Sequence, residues 1–449
     1  MDILLINPSY MDAQDISKRH DTYRSLIEAG NMYVFPFEPP LGLASLLSVL
    51  QLNGISSKLL DLQAEEFTRS EFVSFLKNNN PRYVGITAMT TTYPRAIEVA
   101  QLVKKTLPNC KVILGGIHPT IMPKDTIAEE CFDYIIRGEA EESLVQLLKT
   151  DLTDSPIDGI VSRKESGNID SKTVPHLKDL DIYPAPDYDS FPVHKYVKYN
   201  ESLRSLKAIS MIMSRRCPYP CSFCAVNKTM GRSFRIRNPK KVVEEMSILQ
   251  KKYGVEGIWF KDSIFNLNKK WIDDFCNEIR RRDLNMKWQI NTRIDNIEEK
   301  QLSKMVKAGL EQIDLGIESG SPASLRTLNK NITVDQIEPA IKIAKKHVKV
   351  SGFFMIGIPG ETEDDIEMTF TLAKRLDLDK ASWSIFTPLP GSLLFDNLKS
   401  QGRLPENIDW SQTHFIDSNI SYSQVPHEKL LKYFWDIQEY FRTKSVLSS

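Results

Sequence analysis

The sequence predicts an α/β protein of two strand–helix units. A doubly wound parallel sheet comes first, then a partial (β/α)6 barrel, then a short helical region at the C-terminal end. Three observations carry this reading. Short runs of Val, Ile and Leu alternate with helical patterns over the first 150 residues; a proline-punctuated stretch follows; and from Ile209 the alternation restarts and repeats six times. The units are placed at 1–154, 155–198, 199–390 and 391–449.

The first unit opens on a candidate strand at Ile3–Ile6, with others at Lys58–Leu62, Tyr83–Thr87, Lys111–Leu114 and Tyr134–Ile136. They are nearly continuous in apolar residues and bounded by Gly, Pro or Asn, as parallel strands buried on both faces are. Helical patterns lie between them at Leu43–Leu52, Arg69–Asn78, Pro94–Thr106 and Glu141–Leu148. In such Rossmann-like sheets ligands dock at the carboxyl ends of strands. That edge would hold Asn7-Pro8-Ser9-Tyr10, Met89–Arg95 and the loop from Gly115 to Thr120.

Residues 155–198 carry Pro175, Pro184, Pro186 and Pro192 and read as a linker wrapped over the surface. In the second unit strands are expected at Ile209–Met213, Gly257–Phe260, Lys287–Asn291, Gln312–Leu315, Gly352–Ile356 and Ser382–Thr387. Helices are expected at Pro239–Lys252, Lys269–Arg281, Glu298–Ala308, Val334–His347 and Glu363–Leu376. Units of this size suit a parallel barrel or part of one, with chemistry at the carboxyl ends of its strands. Past Gly391 the clearest pattern is an aromatic-rich helix at Glu428–Lys444.

Composition narrows the function. The chain has 449 residues, with 58 Lys+Arg balanced by 58 Asp+Glu, which argues against a nucleic-acid-coating protein. The most apolar stretch, Leu41–Leu52, is too short to span a membrane. Asp2 and a brief apolar run do not make a signal peptide, so a cytoplasmic location with reduced thiols is expected.

Of six cysteines, Cys110, Cys131 and Cys276 stand alone, while Cys217, Cys221 and Cys224 fall within eight residues. The spacing is C-x3-C-x2-C, directly after the barrel's first strand. Three thiolates on one loop suit a cubane iron–sulfur cluster with one iron left open. A structural zinc site wants a fourth ligand, typically from a second C-x2-C pair, and no second pair exists. Cys276, beside Phe275 in a helical pattern, reads as a packing residue.

Here the sequence resembles the radical S-adenosylmethionine (radical SAM) superfamily. The cysteine spacing matches, as does the aromatic Phe223 before the last cysteine. So do Gly316-Ile317-Glu318-Ser319-Gly320-Ser321, Gly357-Ile358-Pro359-Gly360-Glu361-Thr362 and Pro388-Leu389-Pro390-Gly391-Ser392, each after a barrel strand. The resemblance implies a [4Fe-4S] cluster whose open iron chelates SAM and whose electron cleaves it to a 5′-deoxyadenosyl radical. It further implies that Glu318 and Ser319 bind the ribose or amino acid part and that Arg293 pairs with the carboxylate through its planar fork. By the same resemblance the Gly357–Gly360 turn lets backbone approach the adenine, and Asp262 lies near the methionine amino group. Many relatives carry two adjacent acidic residues where this chain has Asp262-Ser263.

The first unit resembles the cobalamin-binding domain that precedes the barrel in one large radical SAM class. The match lies in Leu4-Leu5-Ile6-Asn7-Pro8, Pro39-Pro40-Leu41-Gly42-Leu43-Ala44, Gly115-Gly116-Ile117-His118-Pro119-Thr120 and Arg137-Gly138-Glu139-Ala140-Glu141. No Asp-x-His-x-x-Gly segment occurs, so His118 is read as a loop or packing residue rather than a cobalt ligand. The resemblance implies a bound cobalamin all the same, with Gly115 and Gly116 in closest approach to it.

Three functions follow. The first is cobalamin-dependent methylation of an unactivated carbon in a small-molecule or peptide substrate. The second is another radical outcome, such as cyclisation, rearrangement or carbon–carbon coupling, with or without cobalamin. The third is a non-catalytic iron–sulfur electron carrier, which leaves the glycine segments idle. The first two need a low-potential electron donor such as flavodoxin or ferredoxin. No side chain is assigned a catalytic acid or base role.

Overall fold

The structure, a computed structural model, describes residues 1–9, 38–65, 67–150, 156–163, 169, 174–200, 203, 206–231, 233–410 and 420–447. The first sheet is built from β1 (Ile3–Asn7), β2 (Ser57–Asp61), β3 (Tyr83–Thr87), β4 (Lys111–Gly115), β5 (Tyr134–Ile136) and β6 (Ile160–Ser162), in the order β2-β1-β3-β4-β5-β6. The first five are parallel and β6 runs antiparallel to β5. The order reverses between β1 and β3, which opens a crevice at their carboxyl ends.

The two faces of this sheet divide the apolar residues by strict alternation. Leu4, Ile6, Val84, Val112 and Leu114 pack against Phe72, Leu76, Ala96 and Ala100, from the helices Arg69–Asn79 and Tyr93–Thr106. Ile3, Leu5, Ile113 and Ile136 face the helix Leu41–Leu52, in a core that runs on without a break into the second unit. The Leu41–Leu52 stretch is thus a core helix. Among the described residues no helix is long and apolar enough to cross a membrane.

The second sheet begins with β7 (Lys198–Asn200), antiparallel to β8 (Leu206–Met211). A two-residue ribbon, β9 (Ser214–Arg215) with β10 (Arg235–Ile236), flanks the cysteine loop. Then come β11 (Gly257–Phe260), β12 (Lys287–Arg293), β13 (Leu310–Glu318), β14 (Lys349–Ile356) and β15 (Lys380–Ile385), all parallel to β8. β7 and β15 stand at opposite ends of the order and do not pair, so the barrel is open, as the sequence predicts.

Strands β6, β7, β9 and β10 and the helical turn Ile117–Ile121 are not anticipated by the sequence reading. All span five residues or fewer, too short for a periodic signal. β12 and β13 run two and three residues further than expected, to Arg293 and Glu318, which sets both side chains at strand ends facing the cysteine loop.

Candidate functional site

The exit of β8 toward the cysteines is held on both flanks. Asp262, just past β11, is 2% exposed, and its carboxylate accepts hydrogen bonds from Met213 N (3.1 Å), Ser214 N (2.6 Å) and Ser214 Oγ (2.5 Å). Burial pushes its pKa up to about 6 against the pull of those bonds. On the other flank Arg215 bonds Glu141 (2.6 Å) and Glu139 (3.0 Å) of the first unit. Arg216 then takes a left-handed backbone (φ 81°), a conformation that costs a non-glycine about 1–3 kcal/mol and turns the chain into Cys217.

The loop itself is stitched to the segments that follow β13 and β15. Ser222 N and Oγ donate to Leu328 O (2.9 Å) and Thr327 O (2.6 Å), and Ser222 O accepts from Leu394 N (2.9 Å). Asn227 and Asn329 donate to the carbonyls of Tyr219 (2.9 Å) and Pro220 (2.8 Å). Phe223 packs against a small core containing Leu328, Ile358 and Phe386. Cys217, Cys221 and Cys224 remain half-exposed, whereas Cys110, Cys131 and Cys276 are buried at 4%, 6% and 1%. Among the described residues no three His, Cys, Asp or Glu side chains gather as ligands of a single ion.

Burial pushes the Cys224 thiol up to about 11 and raises Cys221, while Lys330 and Arg293 pull Cys221 back down. These cations favour thiolate, as cluster ligation requires. Arg293 Nη1 lies 3.7 Å from Cys221 Sγ, and its guanidinium stacks 3.8 Å from the centroid of Tyr219. Its planar fork is not free. Nε and Nη2 hold Asp295 (2.8 and 3.1 Å), and Nη2 also reaches Lys330 O (2.6 Å).

Glu318 closes β13 with φ 69° and forms a buried ion pair with Lys330 at 2.7 Å. Gly316 sits beneath it, where a Cβ would lie 2.7 Å from both Glu318 Oε1 and Lys330 Nζ and would push the pair aside. Ser319 Oγ meets Thr369 Oγ1 (2.8 Å) and accepts from Ser321 N (3.0 Å). After β14, Gly357 and Gly360 both have positive φ. Glu361 Oε2 accepts from Gly357 N (2.6 Å) and Ile358 N (3.1 Å), and Oε1 from Ser324 Oγ (3.0 Å). Burial pushes Glu361 up to about 7.

Ser324 and Lys330, and Tyr219 within the cysteine loop, do not stand out in the sequence. Glu361 alone carried a signal, as the acid following a Gly-Ile-Pro-Gly turn. Asp262 and Arg293 lie near the loop, and their polar atoms already serve its backbone and Asp295.

A cavity of about 320 Å³ opens between the first sheet and the β8 exit. Its walls include Leu5, Gly42, Val49, Gly85, Gly115 and Met213. A Cβ added at Gly42 or Gly115 meets nothing within 4 Å, so both glycines border open space. Gly116 lines the same cavity. With φ 102°, a Cβ there would strike Ala88 O at 2.7 Å, so its need for glycine comes from the chain's own backbone. His118 is a packing residue: 1% exposed, stacked on Tyr93 at 4.0 Å, near Thr90 Oγ1 at 3.3 Å, with a pKa lowered to about 4 by burial.

Comparison with known proteins fits this geometry. The family model of the radical SAM superfamily matches residues 211–373, and that of the B12 binding domain matches residues 33–148. A Pyrococcus horikoshii protein named as an uncharacterized methyltransferase is 34% identical over 399 residues, which cover 88% of this chain and 85% of the relative. The chain belongs to the radical SAM superfamily, among members carrying a B12-binding domain. A second relative of this radical SAM enzyme, the anaerobic magnesium-protoporphyrin IX monomethyl ester cyclase of Rubrivivax gelatinosus, is 30% identical and covers 91% of this chain and 75% of its own length. The solved radical SAM methyltransferase TsrM from Kitasatospora setae, with cobalamin and a [4Fe-4S] cluster bound, aligns with TM-score 0.70 at 19% identity. That alignment covers 89% of this chain and 78% of TsrM, and shows the shared fold.

The enzyme's cofactors are accordingly a [4Fe-4S] cluster, SAM and cobalamin, and the electron-carrier reading is set aside. The residues fit them. Three half-exposed thiols flanked by cations suit the cluster, and the glycine-walled cavity suits part of a corrinoid.

Proposed function

We propose that this enzyme transfers a methyl group from SAM to an unactivated carbon of a small-molecule substrate. The observation that carries the reading is adjacency: the glycine-walled cavity shares Met213, Ser214 and Arg215 with the strand exit that leads straight to Cys217. Bound at these places, the cluster supplies the electron that splits the sulfonium of SAM, and the corrinoid carries the methyl group.

Cys217, Cys221 and Cys224 hold the cluster, with Phe223 anchoring their loop in the core. Arg293 compensates thiolate charge at Cys221, and Asp262 fixes the loop's approach through the backbone of Met213 and Ser214. Glu318, held by Lys330, and Ser319, held by Thr369, present polar groups for the ribose or amino acid part of SAM. Gly357 and Gly360 shape the turn toward the adenine, with Gly360 bordering open space and Glu361 clamping the turn. Gly115 leaves room for the corrinoid. The electron comes from an external low-potential donor such as flavodoxin or ferredoxin.

A second reading, ring closure, is favoured by the cyclase relative that covers 91% of this chain. Incubating reduced, cofactor-loaded enzyme and substrate-containing extract with methyl-labelled SAM separates the two. Label in a product alongside deoxyadenosine supports methylation, and deoxyadenosine with an unlabelled, modified product supports ring closure.

A further inference from the structure

A filled parallel barrel carries branched aliphatic side chains inside. This one does not. Side chains alternate along each strand, and Ile209, Met211, Ile258, Phe260, Trp288, Ile290 and Ile313 belong to the helix-packed core. On the opposite face Ser210, Trp259, Gln289 and Gln312 stand side by side in register, and further along Asn291, Asp314 and Ser351 do the same. Gln289 and Gln312 donate to Asp314 (2.5 and 2.9 Å), and Gln312 also to Ser351 Oγ (3.0 Å). Trp259 Nε1 and Gln289 Oε1 are buried without a hydrogen-bond partner among the described residues. Lys261 lies beside them, its ammonium 2.8 Å from the centroid of the Trp259 ring.

Among the described residues, a side chain of the first unit reaches this wall. Glu38, immediately ahead of Pro39-Pro40-Leu41, bonds Lys261 Nζ at 2.8 Å and accepts from Ser210 Oγ. We propose that Lys261 and Ser210 form a carboxylate subsite on the barrel wall for an acid group of the substrate, and that Glu38 is its internal occupant. The subsite rests on the methyl transfer proposed above, with the open barrel taken as the chamber that holds the substrate.

The chemistry favours this over a structural plug. A sheltered ammonium needs a counter-charge, and Glu38 provides one from a side chain still 32% exposed, which an entering carboxylate can displace. The unpaired Gln289 acceptor and Trp259 donor then remain to bond whatever the acid group is attached to.

The test is chemical rescue in the cofactor-loaded protein. Glu38→Ala strands Lys261, and acetate at constant ionic strength should restore the melting midpoint by about 2 °C or more. Acetamide should not, and the Glu38→Ala/Lys261→Met double variant should not respond to acetate. Should Glu38→Ala not fold, Glu38→Gln is titrated in the same way. An equal response to acetamide, an equal response of the double variant, or no acetate response in either single variant overturns the subsite. A matching response to methylphosphonate overturns its selectivity for carboxylates. Because no methyl transfer is read, failure of the labelling experiment above leaves this outcome independent.

Discussion

Glu139 and Arg215 meet at 3.0 Å across the boundary between the two sheets, two residues ahead of Cys217. The same carboxylate holds Arg235 at 2.8 Å and accepts from Leu177 N at 2.6 Å, so first unit, linker and barrel ribbon converge on one half-buried acid. Glu139 and Arg215 also both line the glycine-walled cavity. The wall of that cavity and the root of the cysteine loop are therefore one piece.

Removing that acid should be costly. Glu139→Ala leaves Arg235, 7% exposed, without its counter-charge, which typically costs about 3–5 kcal/mol. Glu139→Gln keeps hydrogen-bonding capacity and should cost less. Denaturant unfolding of both variants measures this, and a loss below about 1 kcal/mol for the alanine would show that the node does not join the units.

Alanine at Cys217, Cys221 or Cys224 should abolish both iron loading and deoxyadenosine formation, because two thiolates cannot hold a cluster with an open iron. The same change at Cys110, Cys131 or Cys276 removes only a buried sulfur and should cost about 1–2 kcal/mol. Iron analysis after anaerobic reconstitution decides. Loss of cluster from Cys276→Ala with retention in Cys217→Ala would overturn the assignment.

The two adjacent glycines should separate. Gly115→Val extends into open space and should lower corrinoid content while leaving iron content unchanged. Gly116→Ala forces a Cβ onto Ala88 O at a positive φ and should lower the melting midpoint itself. Equal behaviour of the two would mean that the cavity wall is misassigned.

Glu361 sets a pH dependence. Its folded pKa, raised by burial to about 7, exceeds its ordinary value, so its contribution is fully present at acidic pH and is lost as pH rises through about 7. Relative to Glu361→Gln, the wild type should lose up to about 1.4 kcal/mol per pH unit between roughly pH 5 and 7. Parallel stability curves for the two proteins would contradict this.

Much of this was legible in the sequence because parallel strands buried on both faces write themselves as apolar runs. The sequence reading finds every parallel strand of both sheets, and a contiguous motif gives the three cysteines. What escaped depends on side chains meeting across long separations. Lys330 has no signature until it pairs with Glu318, nor has Asp262's grip on Met213 and Ser214 until β8 and β11 lie side by side. Gly115 and Gly116 look interchangeable in sequence, and only the backbone of Ala88 tells them apart.

The central claim is that the first unit holds a corrinoid beside the cysteine loop, and the anaerobic visible spectrum of the reconstituted enzyme tests it most directly. After refolding with cobalamin and iron–sulfur reconstitution, the wild type should show corrinoid bands superimposed on the broad cluster absorption. Gly115→Val should keep the cluster absorption and lose the corrinoid bands. A wild-type spectrum of cluster alone, after exposure to ample cobalamin, would contradict the account.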